Sequence, residues 1–336
     1  MKHPVLRLMM GALALSTMSH AVFAANEKIT LMVGGMEKQI YLPAMLAQRL
    51  GYFKEQGLDV ELLNEPAGVD AENELIAGSV QGVVGFYDHT IDIQAKGKYL
   101  ESVVQFSHTP GEVELVATRM ADKIKSPADF KGKTLGVTGL GSSTNFLTQY
   151  LGVSHGVKLS EMTSLPVGAG NTFIAAMQQG KIDAGMTTEP TISRLVDTGQ
   201  AKVLIDLRSP ENTQKVLGGL YPAASLYMQT NWVQEHKDLT QKLANAFVKT
   251  LHYINTHSAE EITQKMPADY YAGDRGAYVK ALAEGKKSFI PDGRMPESGP
   301  STVLKVLSAF DQTVKGHSID LSKTYTTEFV SAAKTQ

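Results

Sequence analysis

The segment Gly139-Leu140-Gly141-Ser142-Ser143-Thr144-Asn145 has the residue types to hold a small charged molecule. Its two glycines let backbone approach a ligand closely. Its four short polar side chains add donors, and a helix starting here would contribute unsatisfied N–H groups and partial positive charge. That chemistry suits an oxyanion such as a sulfonate, carboxylate or phosphate. No Lys follows the second glycine at P-loop spacing. Gly-x-Ser-x-Gly is missing, so a nucleophile elbow is not expected. Asp88 and Glu189 occupy comparable places about a hundred residues apart and would accept from an amine, amide or hydroxyl. The same two carboxylates fit helix first turns, where the dipole favours acids, and formally fit a general acid and base pair. His89 lies beside Asp88, but no two His share metal-ligand spacing, and no metal or cofactor is expected.

The elements that must position these residues come from a pattern present twice. Glu74 to Gly85 and Ala176 to Thr187 each read as a helix end, a glycine stop and a buried strand opening into a polar loop. Around them strands alternate with helices over short loops, which predicts βαβ units and mainly parallel sheets. Expected strands include Ile29 to Val33, Leu58 to Leu62, Val80 to Gly85, Leu100 to Phe106, Glu114 to Thr118, Leu135 to Thr138 and Ile182 to Met186. A helix is expected from Leu42 to Gln56, stopped by Gly57, and the chain after Asn231 reads as nearly all helix. Ligands of such sheets sit beyond the carboxyl ends of the strands. That rule selects five loops and their candidate ligand-binding residues: Gly35, Met36 and Gln39; Gly68; Tyr87, Asp88 and His89; Thr138, Gly141, Ser142, Ser143, Thr144 and Asn145; Thr188 and Glu189. Tyr221, with Tyr87, is a candidate aromatic wall, and Asp70 and Asn171 are expected helix N-caps.

Composition narrows the class. Lys2 and Arg7 precede an apolar run that ends in Val22-Phe23-Ala24, so residues 1–24 read as a signal peptide cleaved after Ala24. The run is shorter than the roughly 20 residues of a membrane span. The chain has no Cys, which removes disulfides, thiolate catalysis and a lipoprotein anchor. Without the leader, 30 basic residues face 34 acidic ones, a formal charge of −4. No basic cluster interleaves with aromatics, so nucleic acid is not an expected partner. Length favours two domains. The expected lobes are residues 26–117 plus 223–336, with a helical C-terminal tail, and residues 118–222, joined by crossovers near Thr118 and Ala223. The expected protein is a periplasmic monomer without a membrane anchor.

The chain resembles the solute-binding proteins of ABC importers of the nitrate/sulfonate/taurine group. The residues that carry the resemblance are Ala47 through Gly57 with Tyr52-Phe53, the Gly-Leu-Asp-Val start of the next strand, the Gly141-Ser142 loop, the Gly-x-Ile-Asp-Ala of Gly180 to Ala184, and Glu189-Pro190. The resemblance implies an α/β, two-lobed type II periplasmic binding protein fold with a two-segment hinge. It also implies capture of a small organic ligand by lobe closure and delivery to an ABC permease in the inner membrane, without catalysis. The group includes binders of thiamine-pyrimidine precursors and aromatic acids. Sulfonate binders often carry Asp-Pro where this chain has Glu189-Pro190. Related pyrimidine synthases share the fold but use a Cys-rich motif. An exported enzyme, or a sensor for a membrane receptor, is the alternative on the same fold.

Overall fold

The computed structural model describes residues 27–271 and 273–333; the leader expectation lies outside them. Among the described residues, ten strands form two five-stranded sheets. The first contains β1 (Glu27–Val33), β2 (Leu58–Asn64), β3 (Gly82–Phe86), β4 (Leu100–Gln105) and β10 (Ala224–Gln229), in the order β2-β1-β3-β10-β4. The second contains β5 (Glu112–Ala117), β6 (Thr134–Val137), β7 (Thr163–Pro166), β8 (Ala184–Thr188) and β9 (Ala201–Asp206), in the order β7-β6-β8-β5-β9. The two orders match place for place, with β6, β7, β8 and β9 standing where β1, β2, β3 and β4 stand. The doubled sequence pattern is therefore a doubled fold.

Each sheet is mixed. β1 pairs in parallel with β2 and β3, and β6 with β7 and β8. β10 runs antiparallel between β3 and β4, and β5 antiparallel between β8 and β9. This moves one expected boundary. The expected bounds put β5 at the end of the first lobe, but its partners are β8 and β9, so the first crossover is the segment 106–111 and not the neighbourhood of Thr118. The second crossover occupies 207–223. Hydropathy gives both sheets the same buried strands, and only the pairing assigns β5.

Local chemistry explains most element ends. The expected helix Leu42 to Gln56 is broken into Leu42–Leu50 and Tyr52–Glu55 by Gly51, whose φ of 79° an L side chain rarely adopts. Asp70 falls in the first turn of Gly68–Ile76, whose N-cap is Ala67, and Asn171 is the first helical residue behind Gly170. After β10 the chain is helical, with its long helix Lys237–Thr256 burying Leu243, Phe247, Val248, Leu251 and Ile254. Phe247 meets Phe53 edge-on with centroids 5.3 Å apart, so this helix packs on the first lobe, while Phe310 of the tail meets Phe146 of the second at 6.0 Å. Among the described residues, no helix is long and apolar enough to cross a membrane.

Candidate functional site

The carboxyl ends of β1, β3, β6 and β8 converge on one cavity between the lobes. The first lobe lines it with Lys38, Tyr41, Gly68, Phe86 and His89. The second lines it with Glu112, Thr138, Ser142, Ser143, Thr144 and Thr188. The lobes are closed on each other, and the cavity's accessible volume is about 10 Å³, roughly one water's worth. Contacts across the cleft hold this closure. Val69 N–H donates to Ser142 Oγ at 3.3 Å, and Gln39 N–H to the Glu189 carbonyl at 3.0 Å. A Cβ on Gly139 would stand 2.9 Å from that of Ala67, so glycine is what lets the two backbones meet.

The Gly139–Asn145 loop is built as expected but used differently. Ser142 is the N-cap of helix Ser143–Ser154. Thr144 Oγ1 accepts from the Thr138 N–H at 3.0 Å, and Asn145 Oδ1 accepts from the Gly141 N–H at 3.1 Å. Asn145 also donates to Ser164 at 3.0 Å. Thr144 and Asn145 thus brace the loop. Ser143 Oγ reaches across the cleft to Asp88 Oδ1 at 2.7 Å. The other oxygen of Asp88 accepts from the Tyr221 hydroxyl at 2.8 Å. A carboxylate of the protein itself thus takes the hydroxyl of the first helical residue at the start expected to meet an external oxyanion.

Charged groups from both lobes face the cavity. His89 Nδ1 pairs with Glu72 Oε2 at 2.9 Å, both buried. Burial alone would lower the His89 pKa, but the Glu72 carboxylate outweighs it, with Asp88 and Asp92 adding, and raises it to about 9. Burial raises the Asp88 pKa against the opposing His89, Ser143 and Tyr221. Lys38 is buried, donates to the Gly34 carbonyl at 2.6 Å, and is lowered by that burial. Glu112 is pushed well above the ordinary range by burial and by Asp88, with Lys38 opposing. Its Oε2 is buried and has no protein partner. Tyr41 and Phe86 form an edge-to-face wall, with centroids 5.9 Å apart.

Of the sequence-predicted residues, Gly68, His89, Thr138, Ser142, Ser143, Thr144 and Thr188 line the cavity, and Asp88 and Tyr221 close it from behind. Gly68 is a close approach, where a Cβ would stand 3.1 Å from His89 Nε2. Gly141, at φ 88°, packs on Val69, and Gly35, at φ 111°, lies under the Lys38 side chain. Met36 is half-buried, its N–H held by Asn64 at 2.6 Å. Tyr87 faces away, because its hydroxyl bonds Thr324 of the tail and its ring meets Tyr325. Glu189 is also elsewhere. It accepts from the Ser193 N–H at 3.0 Å and from Arg208 at 2.9 Å, beside a second cavity that Gln39 also lines. Gln39 donates to the Tyr278 carbonyl at 3.0 Å. Glu112 was missed. It starts an antiparallel strand opposite Thr188, and a rule about parallel-strand ends does not select it.

Residues 40–261 match the family described as NMT1/THI5 like. The chain belongs to that family. It is 31% identical over 170 residues to the yeast (Saccharomyces cerevisiae) protein named 4-amino-5-hydroxymethyl-2-methylpyrimidine phosphate synthase THI13, covering 49% of this chain and 47% of the yeast protein. The chain thus spans about half the length of the curated relatives it matches first. A solved structure from Bordetella bronchiseptica RB50 is 33% identical, covers 91% of this chain and 96% of its own, and superposes with a TM-score of 0.88. The ligand-binding component of an ABC-type import system from Staphylococcus aureus superposes at 0.69 with 13% identity, covering 92% of this chain and all of that one. Alkanesulfonate- and nitrate-binding periplasmic proteins share the architecture. The fold is the type II periplasmic binding protein fold of ABC import systems.

Proposed function

We propose that this protein is a periplasmic capture component. It would bind a small amino-substituted heteroaromatic solute, of the aminopyrimidine kind, between its lobes and deliver it to an ABC permease in the inner membrane. The observation that carries this reading is the cavity's composition. Both lobes line it, so a solute held between them touches both and favours a closure wider than this one-water cavity, by its differential affinity for that state. Within it, the unpartnered Glu112 Oε2 seeks a donor, and Tyr41 and Phe86, set edge to face, offer an apolar aromatic wall. An amino group on a ring supplies the donor and the ring meets the wall. The yeast relative's name, a pyrimidine phosphate synthase, agrees with that chemistry. Micromolar capture is about −8 kcal/mol, within reach of a few hydrogen bonds to charged groups plus aromatic contact.

The test is a thermal-shift and native mass spectrometry panel of 4-amino-5-hydroxymethyl-2-methylpyrimidine, benzenesulfonate, taurine and benzoate. At a hundredfold excess over Kd, a bound solute stabilises by about 2.7 kcal/mol, a shift of several degrees. The aminopyrimidine should shift the protein and Glu112→Gln should weaken that shift. No shift with any member at millimolar concentration overturns the reading. The same yeast relative favours a second reading, a pyrimidine-forming enzyme. Conversion of a bound pyrimidine precursor, followed by mass spectrometry, would select it.

A further inference from the structure

Asp88 joins both lobes and the second crossover. It is the first residue of helix Asp88–Ala95 in the first lobe and is fully buried. Oδ1 takes the Ser143 hydroxyl of the second lobe at 2.7 Å, and Oδ2 takes the Tyr221 hydroxyl of the 207–223 crossover at 2.8 Å. Ser143 opens the twelve-residue helix Ser143–Ser154. Two helix N-termini, one per lobe, therefore meet at one carboxylate, and the dipole of each favours the negative charge there. Behind it, His89 Nε2 lies 4.0 Å from Asp88 Oδ1, with Glu72 holding the other ring nitrogen.

We propose that Asp88 is an intramolecular anion that latches the second lobe shut and keeps small oxyanions out of the cleft. The proposal rests on the capture reading above, and it names what regulates that site. Opening separates Ser143 from Asp88 and returns the carboxylate to water. Closing replaces that water with the Ser143 and Tyr221 hydroxyls and His89. A free oxyanion would need the same helix start, and the tethered carboxylate competes for it at high effective concentration. A solute without an anionic group meets no such competitor.

The test needs no solute, so its outcome is independent of the binding panel. The chain has no Cys, so a dye pair on Leu63→Cys and Leu159→Cys, both exposed and on opposite lobes, reports the inter-lobe distance by energy transfer. In that background, Asp88→Ala should lower the closed-to-open ratio roughly tenfold to a hundredfold, the range for a hydrogen bond to a charged group. Acetate or formate at tens of millimolar should restore closure in Asp88→Ala and change nothing in the parent. Ser143→Ala retains the carboxylate and should open as well, without rescue by acetate. An Asp88→Ala protein that stays closed, or an opening that acetate leaves untouched, overturns the proposal. Should Asp88→Ala not fold, Ser143→Ala decides, and its remaining closed overturns the latch.

Discussion

Replacing Glu114 by Gln should stabilise this protein at alkaline pH and leave it nearly unchanged in acid. Glu114 lies on β5, two residues beyond Glu112, with no solvent exposure. One oxygen accepts from Thr148 at 2.9 Å and the other has no partner. Burial outweighs the Thr148 bond and raises its pKa from 4.5 to about 8. The sign follows from linkage. A raised folded-state pKa means the folded protein keeps a proton that the unfolded chain releases. The stabilisation is complete below pH 4.5 and is lost as pH rises through about 8. At about 1.4 kcal/mol per pH unit, the loss across that window is about 5 kcal/mol. Gln keeps the Thr148 bond and cannot ionise. Urea unfolding followed by circular dichroism from pH 4.5 to 8.5, on wild type and Glu114→Gln, reads the difference directly, because groups common to both proteins cancel. The variant should gain with pH, reaching several kcal/mol over wild type at pH 8.5. A difference that stays flat with pH would refute a buried neutral carboxyl.

Two further outcomes follow from the site. The His89 imidazole should titrate near pH 9 by proton NMR, giving stability that is full below pH 6.5 and fades through 9, and Glu72→Gln should lower the midpoint; a wild-type midpoint at 6.5 would contradict the buried pair. Gly139→Ala should open the molecule without unfolding it, since the new methyl meets Ala67 of the opposite lobe at 2.9 Å while Gly139 itself has no positive φ. A clash of about 1–3 kcal/mol shifts the closed fraction in small-angle scattering and leaves the melting temperature near wild type.

The fold was legible because its signals are local. Gly78 and Gly180 stop helices at positive φ, and the strands behind them alternate or run apolar. The two sheets, the Ser142 cap and the helix at Asp88 follow from such signals. What was illegible depends on partners far along the chain. Arg208 neutralises Glu189 across 19 residues, and Thr324 captures Tyr87 across 237. No periodicity shows either pairing. Glu112 hid for a different reason. Its strand runs against its neighbours, so its first residue, and not its last, reaches the cavity. Asp88 is an expected ligand contact, and in the structure both its oxygens accept from the protein. The donors proved to be Ser143 and Tyr221 of the same chain.

The placement of β10 has a consequence for how the chain comes to be folded. The second sheet draws all five strands from the continuous stretch 112–206, so it can assemble as soon as that stretch exists. The first sheet cannot. β10 is the strand between β3 and β4, and among the described residues β4 pairs with no other strand, meeting only a single bridge at Tyr325. Until residue 229 is available, the amino-terminal third of the protein holds two facing sheet edges with a one-strand gap between them. Such edges invite pairing with any extended segment nearby, including the β10 of another copy. A nascent or truncated chain ending before Ala224 should therefore be the aggregation-prone form. A synthetic peptide spanning 222–230 should slow its aggregation by filling the gap.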